Sequence, residues 1–462
     1  MTHKHHDHST HSKEQVQRSH QHILHPCTSI IDQEHSEYDT LIDSANGIYI
    51  NDSSNKNVID GIAGLWCSNL GHGRPEIAET LKSAASKLDY FHTFNGITHQ
   101  DQINLSKQLI DLAPDGLNHV FFGCSGSDAN DTLIKIAWQY HITRGKPRKR
   151  KIISRWQAYH GTSISTASLT GLKSFHTAFN LPLDFVVHTD APFYFRDGEE
   201  GESESEYTQR LLANLQKLIE TENAETIAAF IGEPIMGAGG VITPPKGYWE
   251  GVQKICRDND ILLIMDEVVC GYGRTGKAFG SEHFNVQADM MATAKGLTAG
   301  VFPMSAAFIS HDIHNVMRQA SKEYGSFFHG YTYSGHPIGS AVALKVVEII
   351  KQEQLISNSE QVGEYLHSQL KARLLHHPHV GEIRGKGLLA AIQLIKNKDN
   401  KEFYEISDKI PVKLSSVCKD KGLVIRPLPS VGALALSPPL TLSKAEVDKI
   451  VNIVTKVIFS EL

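Results

Sequence analysis

Short apolar runs alternate with amphipathic segments from about residue 58 to residue 335. The apolar runs are HVFF at 119–122, KIISRW at 151–156, TIAAFIGEP at 226–234, ILLIMDEVV at 261–269 and ADMMATA at 288–294. Between them the apolar residues follow helical spacing, as in SDANDTLIKIAWQYH at 127–141 and YWEGVQKICRDND at 248–260. Short strands that alternate with helices are typical of a parallel sheet covered by helices on both faces. The pattern therefore predicts an α/β fold with a mostly parallel sheet.

The pattern changes after residue 336. A long helical segment at 337–354 leads through a second one to two apolar stretches, VGEIRGKGLLAAIQLI at 380–395 and GLVIRPL at 422–428. The chain finishes with the helical pattern KAEVDKIVNIVTKVIFSEL. We therefore predict a large domain over residues 71–335 and a smaller α/β domain built from residues 21–70 and 336–462.

The first 20 residues form a polar, histidine-rich tract that lacks the apolar side chains a core requires. We expect this tail to be disordered. The stretch HKHHDHSTH at 3–11 clusters imidazoles, but neither cysteines nor a carboxylate geometry accompany them. Adventitious metal binding is the better explanation, and we assign no metal site.

The composition is that of an ordinary globular protein. With 462 residues, 40% hydrophobic and 21% charged, the chain is long enough for one large domain and a smaller one. A formal charge of −6 gives no reason to expect nucleic acid or an anionic membrane as a partner. No secretory signal is evident, and no apolar stretch approaches the roughly 20 residues that span a bilayer. Six scattered cysteines without a CxxC pair favour a reducing compartment, and we expect a cytoplasmic protein.

Candidate chemistry appears first in FFGCSGSDAND at 121–131, which runs from a predicted strand into a predicted helix. Ser125, Gly126 and Ser127 bring hydroxyls, backbone N–H groups and the positive end of the helix to one point. A phosphate group fits such a position. A glycine-serine turn with an ordinary N-cap would have the same sequence, so this segment does not decide between the two.

Asp266 ends the apolar run of ILLIMDEVV, and a carboxylate at the end of a buried strand needs a partner. One candidate partner is the magnesium ion of a nucleotide hydrolase, because GYGRTGKA at 271–278 satisfies G-x-x-x-x-G-K. However, Ala278 stands where the magnesium-binding Ser or Thr belongs, and the segment has no strand of its own. A P-loop hydrolase therefore stays as an alternative of a different class. The other candidate partner is a ring N–H.

Lys295 lies among small and apolar residues in DMMATAKGLTAGVFP at 289–303. Burial lowers the pKa of a lysine and leaves more of it as a nucleophilic amine, although a lysine that extends into solvent is the simpler explanation of this window alone. Pyridoxal phosphate (PLP) would explain all three features together. Its phosphate suits residues 125–127, its aldehyde requires an amine, and its pyridine nitrogen requires a carboxylate such as Asp266.

Taken together, these motifs resemble class III pyridoxal-phosphate aminotransferases of fold type I, and within them the ω-amino acid:pyruvate, taurine and diamine group. The resemblance extends from HILHPCTS near residue 22 to the C-terminus. The blocks that carry it are DGIAGLWCSNLGHGRPEI, SGSDANDTLIK, AYHGTS, GEPIMGAGGVITPPKGYW, DEVVCGYGRTG, TAKGLTAG, YTYSGHP and GLVIRPL. It implies a large domain with a mostly parallel seven-stranded sheet flanked by helices, and a smaller α/β domain.

Carried over motif by motif, the resemblance implies that Lys295 is the Schiff-base lysine and that Asp266 pairs with the pyridine nitrogen. Tyr159 would stack on the cofactor ring. The other positions implied to contact PLP are Ser125, Gly126, Ser127, His160, Glu233, Val268 and Thr332. Thr332 would reach over from the neighbouring subunit, so the resemblance also implies a homodimer or a higher homo-oligomer.

The resemblance also implies a substrate cavity lined by Trp66, Phe94, Tyr159, Ala238 and Arg426. A guanidinium binds a carboxylate bidentately, so we expect Arg426 to hold the keto acid. Relatives that use 2-oxoglutarate typically have a glutamate at the position of Ala238. Its absence favours a small acceptor, most simply pyruvate, with a terminal amine as the donor. A 2-oxoglutarate-using enzyme of the same class, or another PLP reaction on the same fold, stays open.

Overall fold

The structure is a computed structural model that describes residues 8–34, 41–52 and 56–462. It begins with two helices, α1 (His8–His22) and α2 (Ile30–Glu34), and the antiparallel strands β1 (Ile42–Asn46), β2 (Tyr49–Asp52) and β3 (Asn57–Asp60). The helix α1 differs from the disorder that we expected over residues 1–20. No proline or glycine interrupts it, and Lys, Glu and Gln are good helix formers. The question of metal binding by residues 3–11 concerns side chains outside the described part of the chain.

A seven-stranded sheet forms the centre of the molecule. Its strands are β4 (Leu117–Gly123), β5 (Lys151–Arg155), β6 (Val186–Thr189), β7 (Ile227–Gly232), β8 (Leu262–Asp266), β9 (Met290–Thr293) and β10 (Ser305–Ser310). They lie in the order β4-β10-β9-β8-β7-β5-β6. Only β10 is antiparallel, pairing with β4 on one side and β9 on the other. The prediction of a mostly parallel seven-stranded sheet is confirmed.

Helices cover both faces of this sheet. Those that contact its strands are α5 (Gln100–Leu112), α6 (Gly126–Thr143), α7 (Ile164–Leu169), α9 (Glu204–Glu222), α10 (Tyr248–Asp258) and α11 (His311–Tyr324). The same part of the chain also contains α3 (Ala63–Trp66), α4 (Pro75–Lys87) and α8 (Tyr194–Asp197). Successive side chains of a strand enter opposite cores. Phe230 of β7 packs in the core that contains Trp249 of α10, whereas its neighbour Ile231 packs with Leu133 of α6. The continuous apolar runs follow from this burial on both sides.

The C-terminal part contains the helices α12 (Pro337–Gln352), α13 (Leu355–Leu374), α14 (Ile410–Asp420) and α15 (Lys444–Glu461). Its strands are β11 (Val380–Lys386), β12 (Leu389–Leu394), β13 (Leu423–Val424), β14 (Arg426–Leu428) and β15 (Ala433–Leu436). An antiparallel sheet has the order β11-β12-β15-β14, while β13 pairs in parallel with β3. That pairing joins the N-terminal strands to the C-terminal part of the chain. The helix α12 packs against α4 and α5, so it extends from the C-terminal part onto the large sheet's helices.

The helices of the described residues include none that is both long enough and apolar enough to cross a bilayer.

Candidate active site

The predicted site residues follow strands that end at one edge of the large sheet. Asp266 is the last residue of β8, Glu233 follows β7, and Lys295 comes two residues after β9. Because the carboxyl ends of parallel strands meet at the same edge, these residues come together there although they are far apart in sequence. A cavity of about 350 Å³ opens at this edge. Nine predicted residues line it: Ser125, Gly126, Ser127, Tyr159, His160, Glu233, Asp266, Val268 and Lys295.

The start of α6 forms one wall of the cavity. Ser125 is the N-cap, and its hydroxyl accepts a hydrogen bond of 3.2 Å from the Asp128 N–H. The Asp128 carboxylate in turn accepts the Cys124 N–H at 3.0 Å. This turn places the first N–H groups of an 18-residue helix, with its positive dipole end, beside the Ser127 hydroxyl. The arrangement suits a phosphate group.

Two glycines keep neighbouring segments against the start of this helix. A Cβ at Gly126 would lie 2.9 Å from Cγ2 of Val268, and one at Gly161 would lie 2.4 Å from Oγ of Ser127. Gly161 also has a φ of +136°, which L side chains rarely adopt. A side chain at either position would therefore fill part of the cavity or displace the neighbouring segment, and glycine avoids both.

Asp266 is held by three donors and is only 3% exposed. Its Oδ2 accepts from Nδ2 of Asn130 and from Nδ1 of His160, both at 2.8 Å, while Oδ1 accepts the Val268 N–H at 3.1 Å. No lysine or arginine pairs with this carboxylate within residues 8–34, 41–52 and 56–462. Oδ1 keeps accepting capacity for one more donor, such as a ring N–H.

Lys295 borders the same cavity and is largely buried. Burial lowers the pKa of its ammonium, although the negative charge of Asp266 opposes that shift. The Lys295 backbone has a φ of +40°, a left-handed value that is strained for a non-glycine residue. The Lys295 amine has no hydrogen bond to another described residue.

Glu233 joins the turn after β5 to the turn after β7. Its two carboxylate oxygens accept the Tyr159 N–H at 3.1 Å and the Gly237 N–H at 2.7 Å. Burial raises the pKa of this carboxyl. Glu233 thus fixes the backbone at Tyr159, whose own pKa is also raised by burial.

Trp66 and Arg426 form a pair beside the cavity and do not line it. The Arg426 guanidinium lies 5.4 Å from the centre of the Trp66 ring, a cation–π contact. Burial lowers the pKa of Arg426, and no carboxylate pairs with it in the described part of the chain. The loop that carries Ala238 packs against the same indole, since a Cβ at Gly237 would lie 2.2 Å from Cζ3 of Trp66.

Phe94 and Thr332 do not line the cavity of their own chain. Phe94 is 42% exposed and lies against Gly330, where an added Cβ would be 2.8 Å from its ring. Thr332 is exposed, and its carbonyl accepts a hydrogen bond of 2.7 Å from the Tyr90 hydroxyl. The structure of one chain therefore leaves both residues away from the other predicted positions.

Sequence reasoning missed several residues of the site. Cavity-lining residues without a prediction include Cys67, Gly161, Thr298, Phe302 and Met304. Asn130, which holds Asp266, was also missed. Its spacing was the available signal, because residues four apart lie on one face of a helix and Asn130 follows Gly126 of the predicted phosphate turn by four.

The GYGRTGKA segment has a structural role instead of a phosphate-binding one. Arg274 is fully buried and donates to Oδ1 of Asn69 at 2.6 Å and to the Leu388 carbonyl at 3.1 Å. Lys277 lies 3.0 Å from the Glu360 carboxylate. The basic side chains of this segment connect it to neighbouring parts of the chain, which removes the support for a P-loop.

The site matches the demands of PLP feature by feature. The cofactor has a phosphate, an aldehyde and a pyridine nitrogen, and the cavity offers a helix N-terminus, a buried amine and a buried carboxylate with spare capacity. The buried Nε2 of His160 and Oδ1 of Asn130 have no partner among the described residues, so this edge of the sheet retains unsatisfied polar atoms. Fold and site together define a PLP-dependent enzyme of fold type I.

Comparison with known proteins narrows this class. The profile of the family "Aminotransferase class-III" matches residues 30–458, and the chain belongs to the class III aminotransferases. It is 40% identical to the diaminobutyrate–2-oxoglutarate transaminase of Halomonas elongata, over 95% of this chain and 94% of the relative. It is 39% identical to the putrescine–pyruvate aminotransferase of Pseudomonas aeruginosa, over 90% of each.

A solved structure of an aminotransferase also resembles this chain. The ω-transaminase of Pseudomonas jessenii in complex with PMP superposes with a TM-score of 0.93 at 39% sequence identity, covering 96% of this chain and 97% of that one. Class III aminotransferases use PLP, so the cofactor predicted from the sequence is confirmed.

Proposed function

We propose that this aminotransferase moves an amino group from a terminal amine, as in an ω-amino acid, taurine or a diamine, to pyruvate. The observation that carries the proposal is the environment of Arg426. Its guanidinium lies over Trp66 and has no acidic partner in the described residues. Because no acidic side chain neutralises it, Arg426 would be free to bind the carboxylate of any substrate. This favours a keto acid acceptor that has a single carboxylate.

Two similar proteins support this substrate class, because one is named a putrescine–pyruvate aminotransferase and another an ω-transaminase. The Halomonas elongata relative is named with 2-oxoglutarate, and that acceptor is the second candidate. Ala238 favours pyruvate, since it offers no carboxylate that could neutralise Arg426 when a substrate lacks a second acidic group.

In the proposed mechanism, bound PLP supplies an electrophilic carbonyl and an electron-accepting ring. Lys295 would hold the cofactor covalently until the amine of the donor takes its place, and the released neutral amine would then take the proton from the amine-bearing carbon of the donor. Asp266 would keep a proton on the ring nitrogen. The phosphate would bind at Ser125, Gly126 and Ser127.

The remaining residues would position the rings and substrates. Tyr159 would stack on the cofactor, with Val268 on the opposite face and His160 and Glu233 supporting Asp266 and Tyr159. Trp66 and Phe94 stay proposed substrate contacts, although neither lines the cavity of a single chain, and Trp66 lies against Arg426. The aromatic surfaces bind apolar parts of an amine, while the guanidinium binds the carboxylate of the keto acid.

A donor and acceptor screen tests the substrate proposal. We expect alanine to form from pyruvate with terminal amines as donors, and little glutamate from 2-oxoglutarate. Formation of glutamate alone would contradict the argument from Ala238.

Replacing Arg426 by leucine tests its role in the same assay. Charge-assisted hydrogen bonds contribute about 1.5–3 kcal/mol, so we expect kcat/KM for pyruvate to fall about 10- to 100-fold. Conversion of a diamine in the first half-reaction is the control, because that donor has no carboxylate, and its rate should change little. Equal loss in both half-reactions would show that Arg426 supports the cavity and does not select the acceptor.

We further propose a homodimer in which Thr332 completes the partner's phosphate site. Thr332 is exposed on its own chain. Exposed apolar side chains surround it in sequence and space, including Tyr90, Phe94, Phe328 and Tyr333. Several exposed aromatic side chains near one another are typical of a protein interface.

Mixed dimers test whether Thr332 acts across the interface. We expect Lys295→Ala and Thr332→Ala subunits to be impaired alone at limiting PLP. The mixed dimer, purified after co-expression, should have about half of the wild-type activity, since one of its two sites is intact. If Thr332 acted within its own chain, no mixed site would be complete and activity would not recover.

We also propose that the enzyme works in the cytoplasm. All six cysteines are free in the structure, which supports a reducing compartment.

A further inference from the structure

The side chain of Asn130 is completely enclosed next to the proposed cofactor site. It is fully buried on the first turn and a half of α6. Its Nδ2 donates to two acceptors: Oδ2 of Asp266 at 2.8 Å and the His160 carbonyl at 2.9 Å. One amide therefore uses both of its N–H groups, one on the end of β8 and one on the turn that follows β5.

These contacts connect three parts of the proposed site. The helix α6 begins at the predicted phosphate position, the His160 carbonyl belongs to the turn that carries Tyr159, and Asp266 ends β8. A displacement of any one of them changes a hydrogen bond of the same amide group. The position of the carboxylate is thus tied to the phosphate helix and to the ring-stacking turn.

The orientation of the amide is determined by its neighbours. If the amide were rotated by 180°, Oδ1 would face the Asp266 carboxylate and the His160 carbonyl, both of which only accept hydrogen bonds. In the orientation present, Oδ1 is buried without a partner. An apolar side chain of similar size would avoid that unpaired oxygen, so packing alone does not account for an asparagine here.

We propose that Asn130 is a positioning residue for Asp266. The inference rests on the proposed function, in which Asp266 pairs with the pyridine nitrogen. By donating to Oδ2 together with His160, Asn130 keeps that oxygen occupied and leaves the remaining acceptor capacity on Oδ1 for the ring N–H. It also supplies the buried Asp266 carboxylate with a neutral hydrogen-bond donor.

The variant Asn130→Asp tests this role because it replaces the donating NH₂ by an oxygen of nearly the same size. Two adjacent carboxylates favour uptake of a proton by one of them, which weakens the pairing of Asp266 with a ring N–H. We expect the dissociation constant of PLP, titrated into the apoenzyme, to rise about 10- to 100-fold, as for other residues that support a ligand-holding group. We also expect the pH midpoint of the bound cofactor's absorbance change to shift.

Asn358→Asp is the matched control. Asn358 also donates to two carbonyls, those of Leu440 and Leu442, but lies away from the cavity. It should lower the melting temperature of the apoenzyme as Asn130→Asp does, with PLP affinity and absorbance unchanged. If Asn130→Asp does not fold, Asn130→Ser, which keeps a shorter donor, is used for the same titration.

The outcomes separate this inference from the proposed function. If Asp266→Asn loses PLP affinity while both Asn130 variants keep the wild-type affinity and absorbance, the role of Asn130 is overturned and that of Asp266 stands. If the Asn130 variants lower only the melting temperature, Asn130 is structural and the inference is wrong. If Asp266→Asn also binds PLP normally, the proposed role of Asp266 fails, and the inference fails with it.

Discussion

Replacing Lys295 by alanine is expected to lower the transamination rate by about four orders of magnitude. The variant loses the amine that would attach the cofactor and take the proton from the donor. Burial lowers the pKa of this amine, so the wild-type group is neutral over a wider pH range than an exposed lysine. No other lysine lines the cavity to replace it among the described residues.

Borohydride reduction followed by peptide mass mapping provides the direct measurement. The wild-type peptide that contains residue 295 should gain the mass of the reduced cofactor, whereas the alanine variant should show no modified lysine. Lys277→Ala is the control, because Lys277 pairs with Glu360 outside the cavity. It should keep wild-type activity and labelling. An unmodified Lys295 in cofactor-loaded wild-type protein would contradict the proposed mechanism.

The second large effect is expected for Asp266→Asn. The amide has the size of the carboxylate but lacks its charge, so it cannot hold a proton on the ring nitrogen. Its NH₂ group can also occupy the position of Oδ2, where it would meet the donors of Asn130 and His160. We expect kcat to fall about 10²- to 10⁴-fold, as for the loss of a proton-holding group. Stopped-flow measurement of the first half-reaction separates this loss from any change in the second.

Glu267→Gln is the matched control for Asp266→Asn. Glu267 is adjacent and equally enclosed, yet its carboxylate accepts from the Gly280 and Ser281 N–H groups and does not border the cavity. Burial raises the pKa of Glu267 to about 7. Its replacement should change the melting temperature while kcat stays within about threefold of the wild type. A comparable loss of kcat in both variants would mean that Asp266 acts through the fold alone.

Much of the fold could be predicted from the local pattern. The apolar runs that end at Gly232, Asp266 and Thr293 are strands, and the segment after Ser125 is a helix of 18 residues. The strand β10 was missed, because SAAFIS resembles a short buried helix segment as much as a strand. The helix α1 differs from the expected disorder. Its polar composition indicates that the segment cannot form a core, but such a composition does not prevent a helical backbone.

The candidate site was only partly accessible to the same reasoning. Lys295, Asp266 and residues 125–127 could be found because each follows a recognisable strand or begins a helix. For Asn130 the sequence offered only the four-residue spacing from Gly126, and not the contact itself, since its partner Asp266 is 136 positions away and a contact of that kind depends on the order of the strands. The Trp66 and Arg426 pair was predicted as two separate cavity residues, and its mutual cation–π contact appears only in the folded chain.

The amino-acid sequence was therefore sufficient to predict the class of fold and the cofactor. It was also sufficient to predict those residues whose chemistry follows from their immediate neighbours in the sequence. The folded structure decided which distant side chains meet, and so which donors hold Asp266 and what lies beside Arg426. The physical reason is that strands and helices follow from periodicities of a few residues, whereas hydrogen bonds between strand ends depend on sheet order and packing, which no short window contains.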